Sequence, residues 1–382
     1  MTSGEKCSII GCYNAGSIGR TLNRGGIYVG GVVGRASASE VEINKSFNKG
    51  EIITGAEGIG GIIGYGSDVD IENCYNMGNL EGNSSEIGGI IGKGSSVNIN
   101  KCYNTGNIGF EAKGNYVGGI AGSCGKINIT NCYNKGEIKS GYLVGGIIGG
   151  SGTGGNIINC YNIGRLNITG NAGIGGIVSL GNNSSENGTN IKYCYNGAEI
   201  RSQTIFTAGI IGAYGNNIEY CYNTGNILAM SQSGGITGQS NKVSNCYNAG
   251  NLEGTSATPA LLGGIIGISG QITDCHNTGK IIVPKNSDES QPQFIGEILG
   301  YTGNSLSITV GTDCTYLLRD DGTNAPANGA TGKTAEEMEE IMSIQNFVNT
   351  LNTQIRENNA NPDNVQLNEW TVKDGKPVLV WE

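Results

Sequence analysis

The chain is poor in most of what builds an ordinary globular core. Of its 382 residues only 6% are aromatic and 14% charged, and there is one histidine, His276. Few large side chains are therefore at hand to fill a conventional interior. Lys and Arg number 23 against 32 Asp and Glu, for a net charge of −9. The clustered cations that would neutralise a phosphate backbone are missing, which argues against nucleic acid as a partner. No apolar run approaches the roughly 18–20 residues of a transmembrane segment. No C-x-x-C pair occurs among the twelve cysteines, which argues against a structural metal site. The first residues, Met1 to Asn14, contain no apolar secretory stretch and lead directly into repeated sequence. The expectation is therefore part of a longer chain, because a solenoid needs a cap before its first coil.

What is abundant is glycine, 68 residues, and one motif. The stretch I-E-N-C-Y-N-M-G-N-L at 71–80 recurs ten times. Its Cys slot holds Cys12, Ser46, Cys74, Cys102, Cys132, Cys160, Cys194, Cys221, Cys246 and Cys275, spaced by 25 to 34 residues. Ile or Val always stands three residues before the slot, Asn two after and Ile or Leu six after. A second signature, G-G-I-I-G, lies between copies at 60–64, 88–92, 145–149 and 263–267, with close variants elsewhere. The last copy is the weakest: Gly296, Glu297, Ile298, Leu299, Gly300.

A fixed period of this length means one structural unit copied and stacked. The apolar segments are short and rich in Ile and Val, with no helical period inside the repeats. The expected fold is all-β: a right-handed parallel β-solenoid of about ten to eleven coils, its hand resting on the preference of parallel crossovers. A leucine-rich repeat shares the period and an Asn slot, but lacks the G-G-I-I-G strand. The Cys row reads as reduced, buried thiols behaving as small apolar side chains. The Asn row reads as an inward ladder of amides. The Gly two residues after Asn reads as a corner of positive φ.

Taken together, G-G-I-I-G followed by I-x-N-C-Y-N-x-G-x-I resembles the GLUG-type repeat of bacterial surface proteins. That group includes adhesin-like proteins and the non-catalytic repeat regions of IgA-cleaving metallopeptidases. The resemblance covers roughly residues 7–300 and implies a β-solenoid exposed at a bacterial surface. It carries over no catalytic residue, since the chain has no H-E-x-x-H.

The proposed organisation is a solenoid over 1–318, closing with a degenerate coil at 306–318 that holds Cys314, then a linker over 319–333 and a C-terminal unit over 334–382. A polar insertion, 284–293, interrupts the last regular coil. Thr334-Ala335-Glu336-Glu337 makes a capping box ahead of a helix to about Glu357. Residues 370–381 read as a hairpin turning at Asp374-Gly375 and hold both tryptophans. This helix and hairpin form a small α+β cap, expected to act as a lid over the open end of the coil stack. The C-terminal T-A-E-x-M and P-V-L-x-W patterns are similar to the ends of GLUG-type proteins.

Three patterns are candidates for chemistry. The residue after the Cys slot is Tyr75, Tyr103, Tyr133, Tyr161, Tyr195, Tyr222 or Tyr247 in seven copies, with Tyr13, Phe47 and His276 in the others. Strand alternation sends it outward, giving a row of rings that either shields the sheet or binds a host or cell-wall glycan, or a protein. Glu40, Glu42, Asp68, Asp70 and Glu72 alternate with Val41, Ile43, Val69 and Ile71. Stacking would set these carboxylates in like-charged rows, the one place where a Ca²⁺ ion would be favoured; no other cofactor is implied. Finally, residues 327–334 approach a phosphate loop, but no buried strand precedes them. The function expected is a non-enzymatic scaffold or adhesive segment of a secreted or surface protein. A carbohydrate-active β-helix enzyme, lyase or glycosidase, and the stalk of a larger secreted protease are the alternatives.

Overall fold

The computed structural model describes residues 6–21, 27–37, 40–83, 85–110, 115–140, 142–170, 172–184, 186–255, 261–268, 270–283, 294–301, 309–311, 313–320, 324–325 and 329–380. The polar insertion at 284–293, all of 302–308 and Trp381 lie outside these residues.

The chain winds as a parallel β-solenoid. In one coil the strands are Val69–Glu72, Tyr75–Asn76, Leu80–Gly82, Glu86–Gly88 and Ile91–Asn100, the last of which already enters the next coil. Each strand pairs in parallel with its counterpart one repeat away: Tyr75 opposes Tyr103, Leu80 opposes Ile108 and Ile87 opposes Val117. The two ladders through Leu80 and Ile87 have ten rungs each, and the ladder through Tyr75 has twelve. Its eleventh and twelfth rungs are Thr315–Leu317 and Thr331–Lys333, so part of the expected linker is itself a strand.

Two apolar compartments fill the coil. One holds the Cys row with Val69, Ile71 and the paired Ile of G-G-I-I-G; the other holds residues such as Ile52, Leu80, Ile59 and Ile87. The Asn row separates them. Asn76 lies against Gly61, Asn104 against Gly89 and Asn134 against Gly119, so close that a Cβ on any of these glycines would collide with the amide. The second glycine of each G-G-I-I-G pair is thus the seat of an Asn side chain, while the first, as at Gly60, is held tight against backbone carbonyls.

Each inner Asn donates its Nδ2 to the Oδ1 of the Asn one coil further on, from Asn14 to Asn277, over 2.7–3.2 Å. The same nitrogens also donate to the carbonyl two residues on, as from Asn76 to Gly78 at 2.8 Å. A buried amide row in which both protons are used satisfies groups that would be costly unpaired.

The glycine two residues after Asn differs from expectation. None of these glycines has positive φ. Gly78 is required instead because a Cβ there would overlap the carbonyl of Gly50 in the coil below. The left-handed corner is one residue before the Cys slot, where Gly11, Lys45, Asn73, Lys101, Asn131, Asn159, Tyr193, Tyr220, Asn245 and Asp274 all have φ between 47° and 66°. The sharp turn after the I-x-x strand brings Cys inward at the cost of a conformation that L-residues avoid by roughly 1–2 kcal/mol.

Helices α1 (Ala335–Met342) and α2 (Ile344–Asn359) follow the last rung. Thr334 and Glu337 form the reciprocal capping box. The hairpin pairs Trp370–Lys373 with Lys376–Leu379. This unit does not close the end of the stack as a lid. It lies along the side of the solenoid, over the outward rings.

Candidate functional site

The Cys slot is an interior feature. Cys74, Cys102, Cys132, Cys160, Cys194, Cys221, Cys246 and Cys275 are fully buried and unpaired by disulfides. They are more than apolar filler. The N–H of Cys74 donates to the sulfur of Cys102 at 3.3 Å, and that of Cys102 to Cys132 at 3.4 Å. Ser46 does the same with oxygen, accepting from the Cys12 N–H at 3.1 Å. Burial pushes the thiols of Cys102, Cys160, Cys221 and Cys246 up, and that of Cys124 to about 12. Sealed from solvent, the thiols of the row act as hydrogen-bond partners within the coil and are not placed to be nucleophiles.

The residue after the slot does face outward. Tyr13, Phe47, Tyr75, Tyr103, Tyr133 and Tyr161 form one column with centroids 4.9–5.1 Å apart and interplanar angles of 2–11°. Outward does not mean exposed. Tyr13 is 67% exposed, and Tyr75 and Tyr103 are half-buried. Tyr133, Tyr161, Tyr195 and Tyr222 are buried beneath the C-terminal unit, and Tyr247 is packed against it. Phe347 of α2 meets the Tyr222 ring at 4.8 Å and the Tyr247 ring at 5.8 Å. Trp370, 2% exposed, sits 5.9 Å from the Tyr161 ring. The regular stack tilts where these helices intrude, and burial raises the Tyr222 phenol to about 12.

A hydrogen-bond seam fixes the unit in place. Asn131 and Asn159, both corner residues, bond the extended segment ahead of the hairpin. Asn131 donates to the Gln366 carbonyl at 3.2 Å and accepts from the Asn368 N–H at 3.0 Å. Asn159 donates to the Asn368 carbonyl at 2.8 Å and accepts from the Trp370 indole. His276 completes the covered row, with Nδ1 2.6 Å from the Thr315 hydroxyl and Nε2 3.2 Å from Asp274.

The five acidic residues lie near the N-terminal end of an adjacent face. Val41, Ile43, Val69 and Ile71 point inward, and the acids alternate outward. Asp70 stands in register over Glu42, while Glu72 stands over Asn44. Each of these three carboxylates has a protein donor: Lys6 on Glu42 at 3.0 Å, Asn98 on Asp70 at 2.8 Å and Asn100 on Glu72 at 3.0 Å. The Lys6 ammonium holds the Glu42 carboxyl below its usual range. Glu40 and Asp68 are exposed, each at positive φ. Among the described residues, no three His, Cys, Asp or Glu side chains converge on one point.

Asp70 also terminates an outer Asn row. Asn241, Asn216, Asn190, Asn156, Asn128 and Asn98 each donate toward the previous coil, and the last donates to Asp70. With Lys6, Glu42, Glu72 and Val365, the end of this row at Asp70, Asn98, Asn128 and Asn156 lines a groove of about 450 Å³.

The inner row ends at a residue that no repeat pattern marks. Glu297 stands where earlier copies have the second glycine of G-G-I-I-G. It is fully buried, accepts from Asn277 at 3.0 Å and pairs with Arg319 at 2.7 Å. The signal was present: the break from Gly to Glu in the last copy.

No family model matches the chain, and no curated protein matches it. Among solved structures it is similar to a chain described as a "putative immunoglobulin A1 protease" from Bacteroides ovatus. That likeness has 20% identity and a TM-score of 0.45, covering 89% of this chain and 86% of that one. Among the described residues no helix is long and apolar enough to cross a membrane. What the geometry supports is a parallel β-solenoid whose outward aromatic column is divided between a covered and an open part.

Proposed function

We propose that this chain is a non-enzymatic β-solenoid scaffold or adhesive segment of a bacterial cell-surface protein. Its contacts with glycan or protein are made on the open part of the aromatic column. The observation that supports this is the run Tyr13, Phe47 and Tyr75, parallel stacked rings about 5 Å apart that continue beyond the C-terminal unit. Tyrosine offers broad contact area with a polar tip and little rotamer entropy to lose. In the covered part such rings hold an indole and a phenyl ring, Trp370 on Tyr161 and Phe347 on Tyr222. The test is retention of the intact chain on bacterial or host-cell glycans, compared with the double variant Tyr13→Ala, Tyr75→Ala. The reading expects retention that the double variant loses. Equal retention by both, or none by either, would count against it.

A further inference from the structure

On a different face, the row Arg35, Tyr65, Lys93, Ser123, Gly150, Leu180 runs in register up the solenoid. Its side chains shrink at Ser123 and Gly150. The result is a groove of about 310 Å³, at the lower end of ligand-site volumes. Its floor is bare backbone at Gly150, Gly152 and Gly181, and its walls are Tyr116, Leu180 and Tyr214. Ser123, Asn182 and Asn183 supply polar groups at the rim.

Three details set this place apart from a random dent. The Cδ1–Cε1 edge of the Tyr116 ring packs on Gly150, where a Cβ would come within 2.7 Å of both carbons, so the glycine makes room for the ring. Tyr214 is 40% exposed and has φ of 63°. A bulky residue in the left-handed region is strained, and the Tyr214 ring meets that of Phe206 in a tilted contact at 6.3 Å. Asn182 is locked by its own bonds, donating to the Gly152 carbonyl at 3.1 Å and accepting from the Ser184 N–H at 2.8 Å.

We infer that this groove is a binding subsite for an uncharged saccharide. No charged side chain lines it, so an acidic sugar or a phosphate finds no counter-ion. Two tyrosine rings line it, and an aromatic ring attracts the C–H face of a pyranose through its quadrupole. The amides and the serine hydroxyl can both donate to and accept from sugar hydroxyls, and the glycine floor admits close approach to backbone. An extended peptide would need an unpaired sheet edge, yet Ser123, Gly150 and Leu180 are laddered on both sides. The inference rests on the adhesive reading above but places a contact on residues that reading does not use.

The experiment is calorimetric titration of the intact chain with neutral hexasaccharides of glucose, mannose, galactose and N-acetylglucosamine. An oligogalacturonide and a proline-rich peptide serve as competing classes. Three variants accompany it: Tyr116→Ala, Gly152→Phe and Tyr214→Gly. A Cβ at Gly152 meets only the Cys124 carbonyl at 3.9 Å, so phenylalanine fills the groove without disturbing the coil. Tyr214→Gly relieves strain, so it should raise the melting temperature while removing a wall. The expected result is binding of at least one neutral hexasaccharide, weakened about tenfold or more by each variant. Absence of binding by the parent chain, unchanged binding in the variants, or preference for the acidic sugar or the peptide would overturn the inference. Loss through Tyr13→Ala, Tyr75→Ala with none through the groove variants would overturn it too, while leaving the adhesive reading intact.

Discussion

Asn277 donates its side-chain amide to Glu297 at 3.0 Å, where every earlier inner Asn donates to another Asn. A row of amides with one polarity must end on a group that accepts and does not donate. At the C-terminal end that group is Glu297; on the outer face, where the polarity is reversed, it is Asp70. The Glu297 carboxylate also receives Arg319, Asn324 and the Ala325 N–H. Replacing Glu297 by Ala leaves the largely buried Arg319 guanidinium without its counter-ion, held only by the Gly279 and Thr278 carbonyls, at a cost of about 3 kcal/mol. Coils unfold as neighbours, not all at once. Hydrogen exchange should therefore quicken in the last coils first, with those around Cys74 unchanged.

The Cys row predicts a graded series at Cys102. Serine keeps an acceptor for the Cys74 N–H, as Ser46 already does for Cys12. Alanine leaves that N–H unsatisfied, for a loss of about 1–3 kcal/mol. Urea denaturation should rank the parent and Cys102→Ser above Cys102→Ala. Alkylation of the native chain followed by mass spectrometry should modify the exposed Cys7 and Cys12 and spare the ten buried thiols.

The left-handed corner predicts a gain. Lys101 has φ of 50°, and glycine there should stabilise by about 0.5–1 kcal/mol, whereas valine should destabilise. Thermal melts of Lys101→Gly and Lys101→Val should move in opposite directions.

At the N-terminus of α1, Thr334→Ala should cost about 1 kcal/mol. Its partner Glu337 is held below the usual carboxylate range by the Thr334 N–H. A lowered folded-state value means the contribution of Glu337 is present above its unfolded pKa and lost as pH falls through the folded one. The difference between parent and Glu337→Gln should therefore shrink on acidification. Melts at pH 7 and pH 3 check this.

The repeat architecture, the inward Cys and Asn rows, the outward Tyr row and the capping box are all legible in the sequence, because each rests on a residue type recurring at one offset. What was not legible had no such marker. The corner slot holds Gly, Lys, Asn, Tyr and Asp, which share a backbone conformation and no chemistry. Glu297 is one exception in one copy. The groove at Tyr116 arises because Ser123 and Gly150 leave space between coils, a relation between positions that vary. Lateral docking of the C-terminal unit was hidden because an amphipathic helix does not declare which surface it will cover. A lid over the coil ends and a clamp on the rings bury the same apolar face.

The division of the aromatic column is the central claim. It is tested most directly by tyrosine nitration of the intact chain, mapped by mass spectrometry, beside the Trp370→Ala variant. The account predicts modification at Tyr13 and Tyr75 in the parent, with Tyr161, Tyr195 and Tyr222 protected. In the variant, loss of a buried indole, costing about 3–5 kcal/mol, should loosen the C-terminal unit and open those three. Even modification along the whole column in the parent would contradict it. So would protection of the three rings that persists after the C-terminal unit has been shown by hydrogen exchange to have detached.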